Sequence, residues 1–241
     1  MEKPTKLIPF GVILGLSLVI AALLVSGTLL DIKELNNVIS ISGSAKLPVT
    51  SDSARWTGNF SRTAFATNLK SGYEAMKKDE GLVAAYLDEQ GFAGKYEISP
   101  VYMYEIYKSD AYAPKEYNLT QSIEVKSDDV EKVKNLAKNI EKVIAQGVIF
   151  SSNPVEYYYS KLPELRIELL GESIKDARAR AEIIAKSSGK KVNIIKQASM
   201  GVVQVLPINS VNVSDYGEYD TSTIDKEIRT GINSIDFFII K

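Results

Sequence analysis

The chain contains neither cysteine nor histidine among its 241 residues. The common zinc sites need cysteine or histidine ligands, so zinc fingers and histidine-based zinc enzymes are excluded. A Ser-His-Asp triad and a cysteine nucleophile are excluded for the same reason. No disulfide can form, so the folded state depends on the burial of a hydrophobic core.

A surplus of one charge sign is also lacking, because 29 basic and 30 acidic side chains leave a formal net charge of −1. Proteins that bind nucleic acids carry a basic patch or stripe, so no nucleic-acid partner is predicted. No glycine-rich loop follows a predicted strand and opens a helix, which is the pattern that holds nucleotide phosphates. The sequence therefore predicts no cofactor and identifies no small-molecule ligand.

Apolar residues are abundant at the N-terminus, where residues 7–30 form 24 consecutive positions without a charge. As a helix, this stretch would span about 36 Å, which is enough to cross a hydrocarbon core of about 30 Å. The sequence therefore predicts a single-pass transmembrane helix. The residues predicted to anchor it in the membrane are Leu7, Phe10, Ile13, Leu16, Val19, Leu23 and Leu30.

The charges that flank the apolar stretch predict its orientation. Lys3 and Lys6 precede it, and positive residues favour the cytoplasmic side of a membrane. The main domain would then lie on the extracytoplasmic side of the cytoplasmic (inner) membrane, in a periplasm or at the cell surface. The alternative is a signal peptide that is cleaved near Val25-Ser26-Gly27, which would release a secreted domain.

Residues 37–241 alternate between strand and helix patterns, and this order predicts an α+β fold in which long helices pack on antiparallel β-sheet. Residues 1–36 are predicted to form the anchor and linker, and residues 37–241 one domain with possible sub-lobes 37–161 and 162–241. Predicted strands cover 37–43, 54–64, 148–160 with a break at Asn153-Pro154, 190–203 and 234–240. A predicted hairpin covers 96–107 and 117–126, helices cover 67–90, 127–146 and 162–188, and a polar loop covers 209–229.

Several phrases, in their order along the chain, resemble the SIMPL-domain family. They are ISISGSA at 39–45, LDEQGF at 87–92, YNLTQSIEV at 117–125 and ARARAEIIA at 177–185. The resemblance implies an α+β fold with antiparallel sheet, a location in the cell envelope and, as in some members, self-assembly into rings or channel-like oligomers. It also implies a link to envelope or oxidative stress. It implies no catalytic or cofactor-binding residues.

Two groups of carboxylates are candidates for binding a hard cation. Asp128, Asp129 and Glu131 lie at a predicted helix start, where they already complement the helix dipole. The second group, in the polar loop, does not follow the spacing of an EF-hand. Its members are Asp215, Glu218 and Asp220. The sequence therefore predicts no metal site.

Tyrosines are concentrated in the hairpin and around residue 158. Consecutive strand residues point to opposite faces, so some of these rings must lie outside the core. Exposed tyrosines are typical of interfaces, whereas the alternative is aromatic pairing across strands on an ordinary sheet face. The predicted interface residues are Tyr102, Tyr104, Tyr107, Tyr157, Tyr158 and Tyr159.

Three functions fit these observations. The first is a non-catalytic, membrane-anchored homo-oligomer that serves as an envelope scaffold or channel. The second is an exported module that binds a peptide or lipid between the 162–188 helix and the sheet. The third is a carboxylate-based hydrolase, but no spacing singles out an acid–base pair, so the sequence predicts that the protein is not an enzyme.

Overall fold

The computed structural model describes residues 7–34, 37–110, 112–212, 214 and 216–240, with the backbone alone described for 7–9 and 30–34. Helices and antiparallel sheets are combined, which confirms the predicted α+β class. In chain order the elements are α1 Leu7–Glu34, β1 Val38–Thr50, β2 Ser53–Phe65, α2 Leu69–Glu89, β3 Tyr96–Ile98, β4 Tyr102–Ile106, β5 Glu116–Ser127, α3 Val130–Lys138, α4 Glu141–Ile144, β6 Phe150–Ser152, β7 Glu156–Tyr158, α5 Leu162–Ser187, β8 Lys191–Met200, β9 Gln204–Pro207 and β10 Asp225–Ile240.

The chain divides into two compact units. Unit 1 comprises Met1–Ala45, Ile167–Val202 and Thr230–Lys241, and unit 2 comprises Lys46–Arg166 and Val203–Arg229. The strands β1 and β10 and the helix α5 contribute residues to both units. The predicted sub-lobes, in contrast, are continuous stretches of chain, and their boundary stays a prediction.

Unit 2 is built on a six-stranded sheet in which β2 and β5 form the central pair. Its order is β3-β5-β2-β6, with β4 also paired to β5 and β7 to β2. Along β2 apolar or glycine residues alternate with polar ones from Ala54 to Phe60, and Trp56 and Phe60 are completely buried. The helices α2 and α3 cover this face and contribute Met76, Leu87 and Leu136 to the same core.

Unit 1 consists of α1, most of the long helix α5, the strand β8 and parts of β1 and β10. The strand order is β1-β10-β8, and Phe237 and Ile235 of β10 are buried with Ala177 and Ala181 of α5. A glycine allows the close approach of helix and sheet, because a Cβ atom on Gly43 would lie 2.1 Å from the carbonyl oxygen of Ser173.

One predicted helix is interrupted. Residues 127–146 form α3 and α4, which are separated at Asn139, where the Asn139 side-chain amide donates to the carbonyl of Asn135. The N-cap is Asp129, whose carboxylate accepts from the backbone N–H of Lys132 at 3.0 Å. Ser127, the first residue of the predicted helix, instead accepts from the N–H of Asp129.

Two strands are longer than predicted. β1 continues past Gly43 to Thr50, and β10 begins at Asp225 rather than at residue 234. The start of β10 is polar because its charged side chains have partners: Lys226 bonds to Asp220, and Glu227 to Lys46 and Arg229. Charge content predicts a loop only when the charges are solvated, and here they are paired.

Candidate functional site

Helix α1 contains a 20-residue segment, Phe10–Leu29, that is long and apolar enough to cross a membrane. None of it is buried against the rest of the described chain. The predicted anchor residues Phe10, Ile13, Leu16, Val19 and Leu23 are all exposed, whereas the side chains of Leu7 and Leu30 lie outside those that the structure describes. The helix has the properties of a signal anchor or a signal peptide.

The strand β4 forms part of one edge of the unit 2 sheet. Within the described residues it pairs with β5 alone, from Tyr102 opposite Thr120 to Ile106 opposite Glu116. Tyr102 and Tyr104 share one face and are 60% and 56% exposed, while Met103 is exposed on the other. Tyr107, just beyond the strand, is 90% exposed. Three of the six predicted interface tyrosines therefore lie together along an accessible edge.

The other three predicted tyrosines lie elsewhere in unit 2, on and after β7. Tyr157 is buried in the core. The hydroxyl of Tyr158 donates to Glu156, and its ring lies 6.0 Å from that of Tyr219. The backbone N–H of Tyr159 donates to the Tyr219 hydroxyl at 3.0 Å. These residues make aromatic and hydrogen-bonded contacts within their own unit.

The strand β8 forms an edge of the unit 1 sheet, and the sequence did not single it out. Among the described strands it pairs with β10 alone. Nine of its ten residues are exposed, including Ile194, Ile195 and Met200. An edge strand offers unpaired backbone N–H and C=O groups to another chain. Its sequence, KVNIIKQASM, carries polar residues at both parities, which is a local sign of exposure, and only Val192 packs partly against the described core.

A groove of about 630 Å³ opens beside β3 and the end of β5 in unit 2, and its lining includes Glu124, Lys126, Asp128 and Asp129. From β2, on the other side of β5, the Nε of Arg55 donates to Glu124 at 2.7 Å. This hydrogen bond raises the pKa of Arg55. Hydrogen bonds from Lys126 and Arg55 lower the pKa of Glu124 despite its partial burial. The cluster is a network of mutually compensated charges.

The acidic residues considered as cation ligands have other partners or lie apart. Asp129 caps α3, and Glu131 pairs with Lys134 at 2.9 Å. In the part of the chain that the structure describes, no group of three or more carboxylates is placed to hold a metal ion. Asp215 lies outside the described residues.

A buried ion pair joins the polar loop to the start of β10. The Lys226 side chain is completely buried, and its ammonium donates to the carbonyl of Asp220 at 2.5 Å and lies 3.3 Å from its carboxylate. Burial lowers the pKa of Lys226 and outweighs this pairing. Burial disfavours ionised Asp220, but hydrogen bonds from Ser222 and Thr223 overcome that effect and hold its pKa well below the usual range.

Comparison with known protein families matches residues 39–225 to SIMPL, a family described as proteins of unknown function (DUF541). The match begins in β1 and ends at the first residue of β10, so it includes the unit 2 sheet, α5 and β8 but not the rest of β10. A search of curated proteins finds no match. The ordered set of phrases from residue 39 onward, the α+β architecture and this match agree, and the chain belongs to the SIMPL family.

Proposed function

We propose that this chain is a membrane-anchored, non-catalytic SIMPL protein whose extracytoplasmic domain assembles into a scaffold or channel-like homo-oligomer of the cell envelope. The observation that carries the proposal is the β4 edge, defined by Tyr102, Met103 and Tyr104, which is exposed on both faces.

The β4 edge has the properties that strand addition requires. One side of the strand is hydrogen-bonded to β5, and the opposite side has no strand partner among the described residues. Each tyrosine can bury about 150–250 Å² of surface in a contact. A second copy that pairs with this strand would satisfy the free backbone groups and cover the rings in the same step.

The β8 edge supports assembly of more than two copies. It differs in sequence and length from β4, so each chain presents two unlike edges. Contacts between unlike surfaces run head to tail, and they produce a ring when the rotation between subunits closes. We therefore infer a closed oligomer rather than a symmetric dimer.

The anchoring part of the proposal rests on α1. Its apolar segment is unburied, and Lys3 and Lys6 precede it, which favours a cytoplasmic N-terminus. N-terminal sequencing of the membrane-extracted protein tests this directly. Retention of Met1 is expected for an anchor, whereas a mature N-terminus after residue 27 would show a cleaved signal and contradict anchoring by α1.

Amide hydrogen exchange in β4 tests the assembly surface. In an assembled protein the outward amides of Tyr102–Ile106 exchange slowly, and dilution below the assembly threshold accelerates them. The variant Y102K/Y104K is expected to exchange fast at every concentration, because two desolvated ammonium groups disfavour the contact. The control Y73K/Y216K changes two exposed tyrosines outside any strand, and its β4 should remain protected.

The same experiment distinguishes the alternative function. A β4 that exchanges fast in the wild-type protein at high concentration would contradict assembly and favour an exported binding module. The groove beside β3 is lined largely by charged residues, unlike the predominantly apolar sites of most small ligands. The candidate site for such a module would then be the pocket of about 440 Å³ between α5 and β1, whose lining includes Ile41, Ile183 and Ile184. The stress-related role stays a prediction.

A further inference from the structure

We infer that a lysine cluster, Lys186, Lys190 and Lys191, binds the anionic headgroups of the membrane in which the protein is anchored. The cluster lies at the end of the unit 1 sheet that is nearest to α1. The inference rests on the proposed anchoring by α1. It does not depend on assembly.

Strand register identifies which end of the sheet is near the membrane helix. The backbone N–H of Ile239 donates to the carbonyl of Asn37 at 3.0 Å, and Ile239 and Ile240 lie opposite Val192 and Lys191. The start of β1, the end of β10 and the start of β8 therefore share one end of the sheet. The turn from α5 into β8, which contains Lys190, lies at the same end.

Chain length limits how far this end can be from the bilayer. From Glu34, the last residue of α1, to Asn37 is three residue steps, which span at most about 11 Å. Lys191 lies two strands across from β1, which adds about 10 Å. The five residues of α1 beyond Leu29 span about 7 Å, close to the depth of one headgroup layer. The cluster thus lies within reach of lipid phosphates.

The charge of this end suits an anionic surface. Lys186 and Lys191 are exposed and Lys190 is half-buried, and none of the three forms an ion pair among the described residues. They line one shallow pocket together with a single carboxylate, Glu182. That carboxylate is already paired with Arg178 at 3.1 Å.

An apolar residue completes the surface. Ile183 is 72% exposed and precedes Lys186 by three positions, so the two side chains lie on one face of α5. A lysine ammonium at the phosphate level beside an apolar side chain that reaches below it is typical of interfacial membrane contacts. Each lysine near an anionic leaflet strengthens binding about five-fold.

Lysine acetylation of the full chain in lipid nanodiscs tests the inference without changing the sequence. In discs with one third anionic phosphatidylglycerol, we expect modification of the cluster to fall at least ten-fold relative to all-phosphatidylcholine discs, and 1 M salt should reverse this. Lys77 and Lys78, exposed on α2, serve as internal controls. Equal modification of the cluster in both discs would overturn the inference.

A titration with short-chain phosphatidylglycerol in detergent separates lipid binding from simple shielding. The variant K186Q/K190Q/K191Q is expected to bind roughly 100-fold more weakly than wild type, whereas K70Q/K77Q/K78Q should match wild type. Equal affinity of the two variants, or wild-type binding of inorganic phosphate as strong as that of the lipid, would contradict headgroup recognition. Failure of the chain to enter nanodiscs would instead contradict anchoring, and a monomeric chain in the discs would contradict assembly.

Discussion

The contact between β1 and α5 at Gly43 yields a prediction whose sign and size follow from the structure. A Cβ atom at this position would lie 2.1 Å from the carbonyl oxygen of Ser173 and 2.7 Å from the Cβ of Ala177. Both atoms belong to buried residues of a packed helix, so neither can move without shifting α5. The next residue, Ser44, donates its N–H to Asp176 of α5 at 2.9 Å, and that shift would strain this bond too.

We therefore expect G43A to reduce the free energy of unfolding of unit 1 by about 2 kcal/mol, the middle of the range for overpacking. In a chain of this size, this corresponds to a fall in Tm of roughly 4–8 °C. The matched control is G171A, on α5 itself, where no atom lies within 4 Å of the added Cβ. There, replacing glycine in a helix should stabilise the protein by about 0.5–1 kcal/mol.

Thermal unfolding of the full chain in detergent, followed by circular dichroism, measures both variants. Hydrogen exchange in β1 and α5 reports on unit 1, and fluorescence of Trp56, the single tryptophan, reports on unit 2. A G43A protein as stable as wild type, or stabilised like G171A, would refute the close approach of helix and strand.

Three further predictions concern charged groups in unit 2. Arg62 donates to the buried carboxylate of Asp79 at 2.6 and 2.9 Å. R62M leaves that charge unpaired, so it should lower the free energy of unfolding by about 3 kcal/mol. An unchanged midpoint in chemical unfolding would contradict this. D220N should likewise destabilise the protein by about 3 kcal/mol, because the buried Lys226 loses its charged partner. K226M should cost less, because Ser222 and Thr223 still donate to the Asp220 carboxylate; equal losses would contradict this. The pKa of Asp220 is lowered on folding, so its stabilisation is complete above the unfolded pKa of about 4 and is lost as pH falls further. Wild type should therefore lose more stability than D220N between pH 7 and pH 3, and parallel losses would show that this carboxylate is not involved.

Much of the fold could be predicted from local patterns. The alternation of apolar residues in β2 and β5 predicts strands and the charge-free segment predicts a helix, and the structure has these elements where the patterns indicate them. The extension of β10 could not be predicted in this way. Its first residues are charged, and only the folded chain shows that Lys226 and Glu227 are paired rather than solvated.

The candidate surfaces could be predicted only in part. Tyrosine spacing indicated that some rings lie outside the core, but not which ones, because the choice depends on strand position within the sheet. Tyr104 lies on an edge strand and is exposed, whereas Tyr157 on β7 faces the helix-covered core. The position of β8 at an edge and the place of the lysine cluster depend on strand order and register, which link residues far apart in sequence.

The mass of the full chain in detergent, measured by light scattering after size exclusion at several concentrations, tests the central claim most directly. The proposal of assembly through strand edges predicts a discrete oligomer of constant mass well above that of a dimer, and a smaller particle for Y102K/Y104K. A monomer at every concentration would contradict the claim.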